Sequence, residues 1–229
     1  MPAFWNLVDA LEKHYGKPVM PPARGPLELI LYENIAYLVS EDRREKAFRE
    51  LKKRVGTRPE DLLLAPMELL TTIAAIGGIF PEMRARRLQE SARLVRDVCA
   101  GNLDTVLATD LSNARRAVRK FPTIGEPGAD KILLFTHAFP LLALDSNGVR
   151  VLVRFGFAEE KKSYAATYRA LQNALGPEIG KECEPLIKAH LLLKRHGQEI
   201  CRRSAPHCQV CLVRSRCAFL AHAATRPRG

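Results

Sequence analysis

Four cysteines lie close together near the end of the chain, with the spacing C-x6-C-x2-C-x5-C. They are Cys201, Cys208, Cys211 and Cys217. Four thiolates at such short spacings can hold a cubane iron–sulfur cluster or, less often, a tetrahedral zinc ion. The alternative, a pair of disulfides, is typical of short secreted chains, whereas this chain has 229 residues and we expect no signal sequence after Met1. The spacing therefore predicts a metal-binding loop and favours an iron–sulfur cluster over zinc.

The whole sequence is strongly basic. It contains 36 Lys and Arg against 25 Asp and Glu, which gives a formal net charge of +11 and a pI near 9.6. Such a chain gains affinity for polyanions by releasing their counterions, so nucleic acid is the favoured partner and a solvated cationic surface is the alternative. No run of eighteen apolar residues and no lipidation motif points to a membrane. We expect a soluble protein of the cytoplasm, associated with the nucleoid in a prokaryote.

The hydrophobic periodicity predicts an almost wholly helical chain. Alternation typical of strands is nearly absent, and only Val149 to Phe157 is ambiguous. Pro18 to Pro26 is expected to be irregular, and Thr225 to Gly229 a loose tail. The predicted helices are 40–55, 59–76, 82–99, 110–120, 127–139, one starting near 145, 163–175 and 181–196.

A short hairpin is predicted between two of these helices, over Phe121 to Gly128, with Pro127 in the first turn of the second helix. Backbone amides at Thr123, Gly125 and Gly128 could bind a phosphate without reading sequence, as helix N-termini do for anions. An ordinary helix–helix turn is the alternative interpretation.

The order of these features resembles the helix-hairpin-helix DNA glycosylases of the endonuclease III and MutY type, from about Pro26 to Cys217. His196 to Cys201, with the three later cysteines, is similar to the cluster loop of that family, and Leu144 to Val151 to the segment with its catalytic aspartate. The resemblance implies an all-α fold with a [4Fe-4S] cluster. It also implies two helical domains, a six-helix barrel-like domain with the hairpin at 28–138 and a cluster domain built from 1–27 and 139–229.

The resemblance also implies catalytic roles. Asp145 would stabilise an oxocarbenium-like sugar while the N-glycosidic bond breaks, although an aspartate before a helix is also a common N-cap. Asn147 would orient Asp145 or the sugar. Glu33 lies in a predicted apolar helix over Leu29 to Val39, where the MutY branch has the acid that protonates adenine. Burial would help Glu33 to keep a proton, and a salt bridge is the alternative. Tyr37, expected one helical turn later on the same face, would stack or wedge into the duplex.

Basic side chains are expected to contact DNA phosphates. Some belong to a basic helix start similar to that of the MutY branch, one follows Asp145, and the others surround the cysteines. They are Arg84, Arg86, Arg150, Arg202 and Arg203, joined around the cysteines by His207, Arg214 and Arg216.

Three departures from the family shape the expected activity. Pro127 stands where bifunctional members have the lysine that forms a Schiff base, which predicts a monofunctional glycosylase; Lys131, one turn later, is the alternative lyase nucleophile. Thr123 and Glu126 weaken the hairpin as a phosphate site, so a catalytically inactive DNA-binding paralogue is a second alternative.

The third departure is at the C-terminus. Twelve residues follow Cys217, so we do not expect the domain with which MutY recognises oxidised guanine. The expected substrate is double-stranded DNA with a mismatched or damaged base, whether adenine, thymine, uracil or a lesion, and the expected protein is a monomer.

Overall fold

The computed structural model describes residues 3–99 and 101–225. These residues form thirteen α-helices and no strand, which confirms the all-α prediction. The helices are α1 (Ala3–Tyr15), α2 (Gly25–Asn34), α3 (Glu41–Arg54), α4 (Pro59–Leu64), α5 (Met67–Ile76), α6 (Pro81–Val98), α7 (Leu103–Leu107), α8 (Leu111–Val118), α9 (Glu126–Phe135), α10 (Ser146–Phe155), α11 (Tyr164–Leu175), α12 (Cys183–Glu199) and α13 (Ala218–Thr225). Two 3-10 turns, Cys208–Val210 and Arg214–Arg216, lie in the cysteine loop. Within the described ranges, no helix has the length and apolar character that crossing a membrane requires.

The chain divides into two compact units. We call Pro21–Phe139 the hairpin unit, and Met1–Met20 together with Pro140–Gly229 the cluster unit. The predicted division into domains, at 28–138 and at 1–27 with 139–229, stays a prediction about parts that fold independently.

The hairpin unit is organised around α6, which packs against α2, α4 and α5. Its apolar positions recur at helical spacing, so Ala85, Leu88 and Ala92 lie fully buried on one face. Helix α9 packs against both α2 and α8. This arrangement places the end of α2 beside the hairpin that joins α8 to α9.

In the cluster unit, α10 packs along α12, and α1, α11 and α13 surround this pair. Close approach of α10 and α12 depends on Gly197, because a Cβ there would lie 2.7 Å from the Cβ of Asn147. Helix α10 ends at Gly156, whose φ of 91° is a left-handed conformation that glycine adopts readily. The packing therefore brings the start of α10 close to the end of α12, which leads into the cysteine loop.

Several predicted helix boundaries were wrong. The single helix predicted over 59–76 is two helices, because Ala65 is extended before Pro66. Helix α2 ends at Asn34, so Tyr37 lies in the following loop and not one turn later on the same helical face. The ambiguous segment after Val149 is helical.

Other boundaries were close to prediction. The helix predicted over 127–139 ends at Phe135, and the predicted helix over 40–55 matches α3 within one residue at each end. Helices α1, α7 and α13 were not predicted. Of the predicted loose tail, only Thr225 lies among the described residues.

Candidate active site and cluster loop

Asp145 is the N-cap of α10. Its Oδ1 accepts hydrogen bonds from the backbone amides of Asn147 at 2.9 Å and Gly148 at 2.8 Å, and Asn147 Nδ2 donates to Oδ2 at 3.1 Å. Three donors at a helix N-terminus stabilise a carboxylate and fix its orientation. The carboxyl group is partly exposed, so the capping role leaves it accessible. The structure thus shows the N-cap, and catalysis by Asp145 stays a prediction.

Tyr164, at the start of α11, lies near this carboxylate. Burial raises the pKa of the Tyr164 hydroxyl, and the negative charge of Asp145 raises it further. The hydroxyl donates to the carbonyl oxygen of Leu144 at 3.3 Å. Tyr164 is therefore a neutral side chain beside the carboxylate, and no sequence pattern pointed to it.

Asn147 connects Asp145 to Arg150. The Arg150 guanidinium donates to Asn147 Oδ1 at 2.8 Å, to the carbonyl of Gly197 at 2.7 Å and to the carbonyl of Cys201 at 2.8 Å. Arg150 was expected to contact DNA, but its donors are used inside the cluster unit. Arg150 therefore links the start of α10 to the first cysteine of the loop, and its contact with DNA stays a prediction.

All four predicted metal ligands border one cavity, together with Arg154 and His196. Burial raises the pKa of Cys211, and the charges of the other three cysteines raise it further, as expected for sulfurs within electrostatic range of one another. Among the described residues, no three His, Cys, Asp or Glu side chains converge closely enough to hold one metal ion.

Two side chains support the cysteine loop. Arg154 donates to Cys201 Sγ at 3.4 Å and to the carbonyl of Arg202 at 2.7 Å. His196 Nε2 lies 3.7 Å from Cys211 Sγ, and burial lowers the pKa of His196 to about 4, so its ring is neutral at pH 7. The predicted phosphate contacts of the loop are all exposed at its surface, and they are Arg202, Arg203, His207, Arg214 and Arg216.

Glu33 lies in the other unit, on the last turn of α2. Its Oε1 accepts a hydrogen bond from Lys131 Nζ of α9 at 2.6 Å. The salt bridge that was the alternative interpretation of Glu33 is therefore present. Its partner is the lysine that was the alternative lyase nucleophile.

Arg84 is buried, with 2% of its surface exposed. Its guanidinium donates to three backbone carbonyls, those of Ile35 at 2.9 Å, Ala74 at 2.8 Å and Gly78 at 2.6 Å. The donors of Arg84 are thus used inside the hairpin unit, and its contact with DNA stays a prediction that its burial disfavours. Arg86, two residues later on α6, is exposed and remains a candidate for that contact.

Two of the carbonyls bound by Arg84, those of Ile35 and Gly78, belong to two loops that form an exposed apolar surface, whereas that of Ala74 lies in α5. The Tyr37 amide donates to the Gly77 carbonyl at 3.0 Å, which joins the loops. Leu38 and Phe80 have left-handed φ values of 55° and 56°. Each loop contributes two exposed apolar side chains, and we call the two loops the apolar loop pair. The side chains are Tyr37, Leu38, Ile79 and Phe80, with exposures of 56%, 76%, 47% and 58%. In the sequence, the second loop is marked by two apolar residues, Ile79 and Phe80, between Gly78 and Pro81.

The hairpin is held by Asn34, which the sequence analysis missed. Asn34 Nδ2 donates to the Pro122 carbonyl at 3.1 Å, and Thr123 Oγ1 donates to Asn34 Oδ1 at 3.0 Å. Thr123 has a left-handed φ of 64°, so this bond helps to offset the strain of a β-branched residue there. Gly125 is the N-cap of α9 and is exposed, while Gly128 lies within α9 against Ile124. The exposed amides predicted at the hairpin are thus confined to its tip.

No family model matches the chain. Among characterised relatives, endonuclease III of Sulfolobus acidocaldarius is 24% identical over 190 residues, which cover 81% of this chain and 80% of the relative. Endonuclease III of Thermotoga maritima is 24% identical over 199 residues, covering 85% and 83%.

Solved structures show the same architecture. A trapped endonuclease III–DNA covalent intermediate superposes with a TM-score of 0.76 at 20% identity, covering 98% of this chain and 100% of the other. A thermostable thymine-DNA glycosylase superposes with a TM-score of 0.75 at 17% identity, covering 96% and 97%. The fold is therefore that of the helical DNA glycosylases with a hairpin between α8 and α9. Both comparisons thus agree with the predicted resemblance to the helix-hairpin-helix DNA glycosylases.

Proposed function

We propose that the protein is a monofunctional DNA glycosylase of base excision repair that hydrolyses the N-glycosidic bond of a mismatched or damaged base. The observation that carries this proposal is Asp145, a carboxylate held by two amides and by Asn147 at the start of α10. Similarity to endonuclease III over four fifths of the chain supports an enzyme of this class.

In this reaction Asp145 stabilises the positive charge that develops on the sugar as the bond breaks. Because the carboxylate is fixed before the reaction, it needs no reorganisation in the transition state. Water then attacks the anomeric carbon and leaves an abasic site. The target nucleotide must first leave the duplex, which is least costly at a mismatch or lesion.

Two observations support hydrolysis over lyase chemistry. Pro127 occupies the first turn of α9 and carries no nucleophile. The Lys131 amine is bound to Glu33, and an ammonium in an ion pair is a poor nucleophile. Relatives named endonuclease III keep a bifunctional enzyme as the second candidate.

For DNA binding, we propose that the hairpin tip, with Thr123 and Gly125, accepts a phosphate. Arg86 and the exposed arginines of the cysteine loop add electrostatic attraction. The apolar loop pair, with Tyr37 in its first loop, stacks on or between bases. A monomer that works where the DNA lies, in the cytoplasm or the nucleoid, is sufficient for these contacts.

We further propose that the four cysteines of the loop bind a [4Fe-4S] cluster. With four cysteine ligands the cluster has no open coordination position, so its contribution is to fix the loop. The loop presents Arg202 and Arg203 on its surface, and its first cysteine accepts a hydrogen bond from Arg150.

Duplexes with adenine, thymine or uracil opposite guanine or oxidised guanine, and duplexes with damaged pyrimidines, test this proposal. Strand breaks that appear only after hot alkali would identify a monofunctional glycosylase and its base. Breaks without alkali would show lyase activity. DNA binding without breaks on any substrate would favour the inactive paralogue, which the acidic Glu126 beside the hairpin tip also favours.

A further inference from the structure

An ion pair in the hairpin unit joins α2 to α9. Glu33 of α2 and Lys131 of α9 are 98 residues apart in sequence, and the packing of α2 against α9 brings Nζ within 2.6 Å of Oε1. The two side chains are only 29% and 14% exposed. Water therefore screens this pair less than it screens a surface ion pair.

The neighbours of Lys131 direct its ammonium toward Glu33. Asp130, the adjacent carboxylate, is bound instead to Arg115 at 2.6 Å. On the apolar side, the ammonium lies 5.7 Å from the centre of the Phe135 ring. The carboxylate that pairs with Lys131 is therefore that of Glu33.

This geometry determines what Glu33 can do. An ammonium has three donors and no acceptor, so Oε1 accepts from Lys131, and a proton on Glu33 would have to lie on Oε2. A positive charge at this distance favours the carboxylate over the neutral acid. A general acid must hold a proton before the reaction, so the pair conflicts with the expectation that Glu33 protonates a departing base.

Glu33 forms part of the wall of a cavity of about 360 Å³ in the hairpin unit. Tyr37, Phe80 and Met83 line the same cavity and offer flat or flexible apolar surface, which suits a planar ring. Asn34 also lines it, but its amide is used to hold the hairpin. Arg84, Arg87 and Thr123 complete the polar part of the lining, and the carboxylate of Glu33 is its one anionic group.

We propose that Lys131 is a positioning residue that keeps Glu33 as an ionised hydrogen-bond acceptor, so that this pocket selects a base with an N–H donor on its edge. This inference rests on the proposed function and names the contact by which its pocket holds the flipped base, since adenine, thymine and uracil each present an N–H donor. It replaces acid catalysis at Glu33 with recognition. A hydrogen bond to a charged acceptor discriminates strongly against bases that lack the donor.

Four variants test the proposal in single-turnover excision of adenine, thymine and uracil opposite guanine. Lys131→Met removes the ammonium at similar length and should slow excision about ten- to a hundredfold, the range for loss of a charged hydrogen bond. Lys131→Arg keeps a cation and should retain most of the rate. Glu33→Gln alone leaves Lys131 without its carboxylate and should be slow. The double variant Glu33→Gln/Lys131→Met keeps an amide oxygen as acceptor and should recover much of the loss.

General acid catalysis predicts a different pattern. Lys131→Met would then be as fast as the unaltered protein or faster, and both variants with Glu33→Gln would be inactive, because an amide cannot donate the proton. Either result would overturn the inference while leaving the glycosylase assignment intact. If the unaltered protein excises no base, the proposed function itself fails.

A second measurement tests the pair without relying on activity. Thermal unfolding of the two single variants and the double variant should show coupling, so that the double variant loses less than the sum of the single losses. Additive losses would show that the pair does not act as a unit, and the inference would be abandoned.

Discussion

Replacing Arg84 by Met should destabilise the hairpin unit severely. Arg84 is 2% exposed, and its guanidinium donates to three backbone carbonyls at 2.6–2.9 Å. Met keeps the apolar stem but leaves these carbonyls without their donor. Hydrogen bonds to a charged group contribute about 1.5–3 kcal/mol each, and an unsatisfied buried carbonyl costs about 1–3 kcal/mol.

The variant also regains the free energy spent on burying a charge, which offsets part of this loss. Burial lowers the pKa of Arg84, the direction expected for a guanidinium removed from water. We therefore expect a net loss of about 3 kcal/mol in the free energy of unfolding. Such a change lowers Tm by roughly 6–12 °C in a protein of this size.

Urea unfolding followed by circular dichroism measures this change directly. Arg86→Met is the matched control, since Arg86 lies two residues later on α6 with an exposed side chain, and it should change stability by less than about 0.5 kcal/mol. A loss below about 1 kcal/mol for Arg84→Met, or an equal loss for the control, would refute the structural role of Arg84.

Three further predictions concern the loops. Gly78→Ala should cost about 2–3 kcal/mol of stability, because φ is +110° and a Cβ would lie 2.6 Å from the Tyr37 carbonyl oxygen. Gly101→Ala is the control and should cost less, since its φ is +78° but the space around it is open. Equal losses in urea unfolding would contradict this prediction. Cys211→Ser should reduce the iron content and the absorbance near 400 nm, whereas Cys99→Ser, outside the loop, should leave both unchanged; an unchanged spectrum for Cys211→Ser would exclude it as a ligand. The double variant Arg202→Gln/Arg203→Gln should reduce the magnitude of the slope of log affinity for duplex DNA against log salt by about 1.8, whereas the control Arg96→Gln should not. An unchanged slope would show that neither arginine contacts a phosphate.

The sequence identified the chemistry-bearing residues of the cluster unit better than those of the hairpin unit. The four cysteines are close in sequence, so their spacing alone predicted that they share a site, and they border one cavity. Asp145 preceded a helical pattern, and its capping geometry follows from local rules. Such features depend on neighbours within a few residues.

The features that were missed or wrong depend on distant contacts. A basic run at the start of α6 predicted surface arginines, but Arg84 faces carbonyls of Ile35 and Gly78, which the packing of α2 and α5 brings to it. Lys131 and Glu33 are 98 residues apart, so periodicity could not pair them. The early end of α2 also moved Tyr37 off the predicted helical face.

The central claim is that Asp145 supports hydrolysis of an N-glycosidic bond. Release of the free base from a duplex, detected by mass spectrometry, tests it most directly when the unaltered protein is compared with Asp145→Asn. Asparagine caps helices about as well as aspartate, so the variant should stay folded and bind DNA while base release falls by about two to three orders of magnitude. Equal base release by both proteins, or none by either on every duplex, would contradict the account.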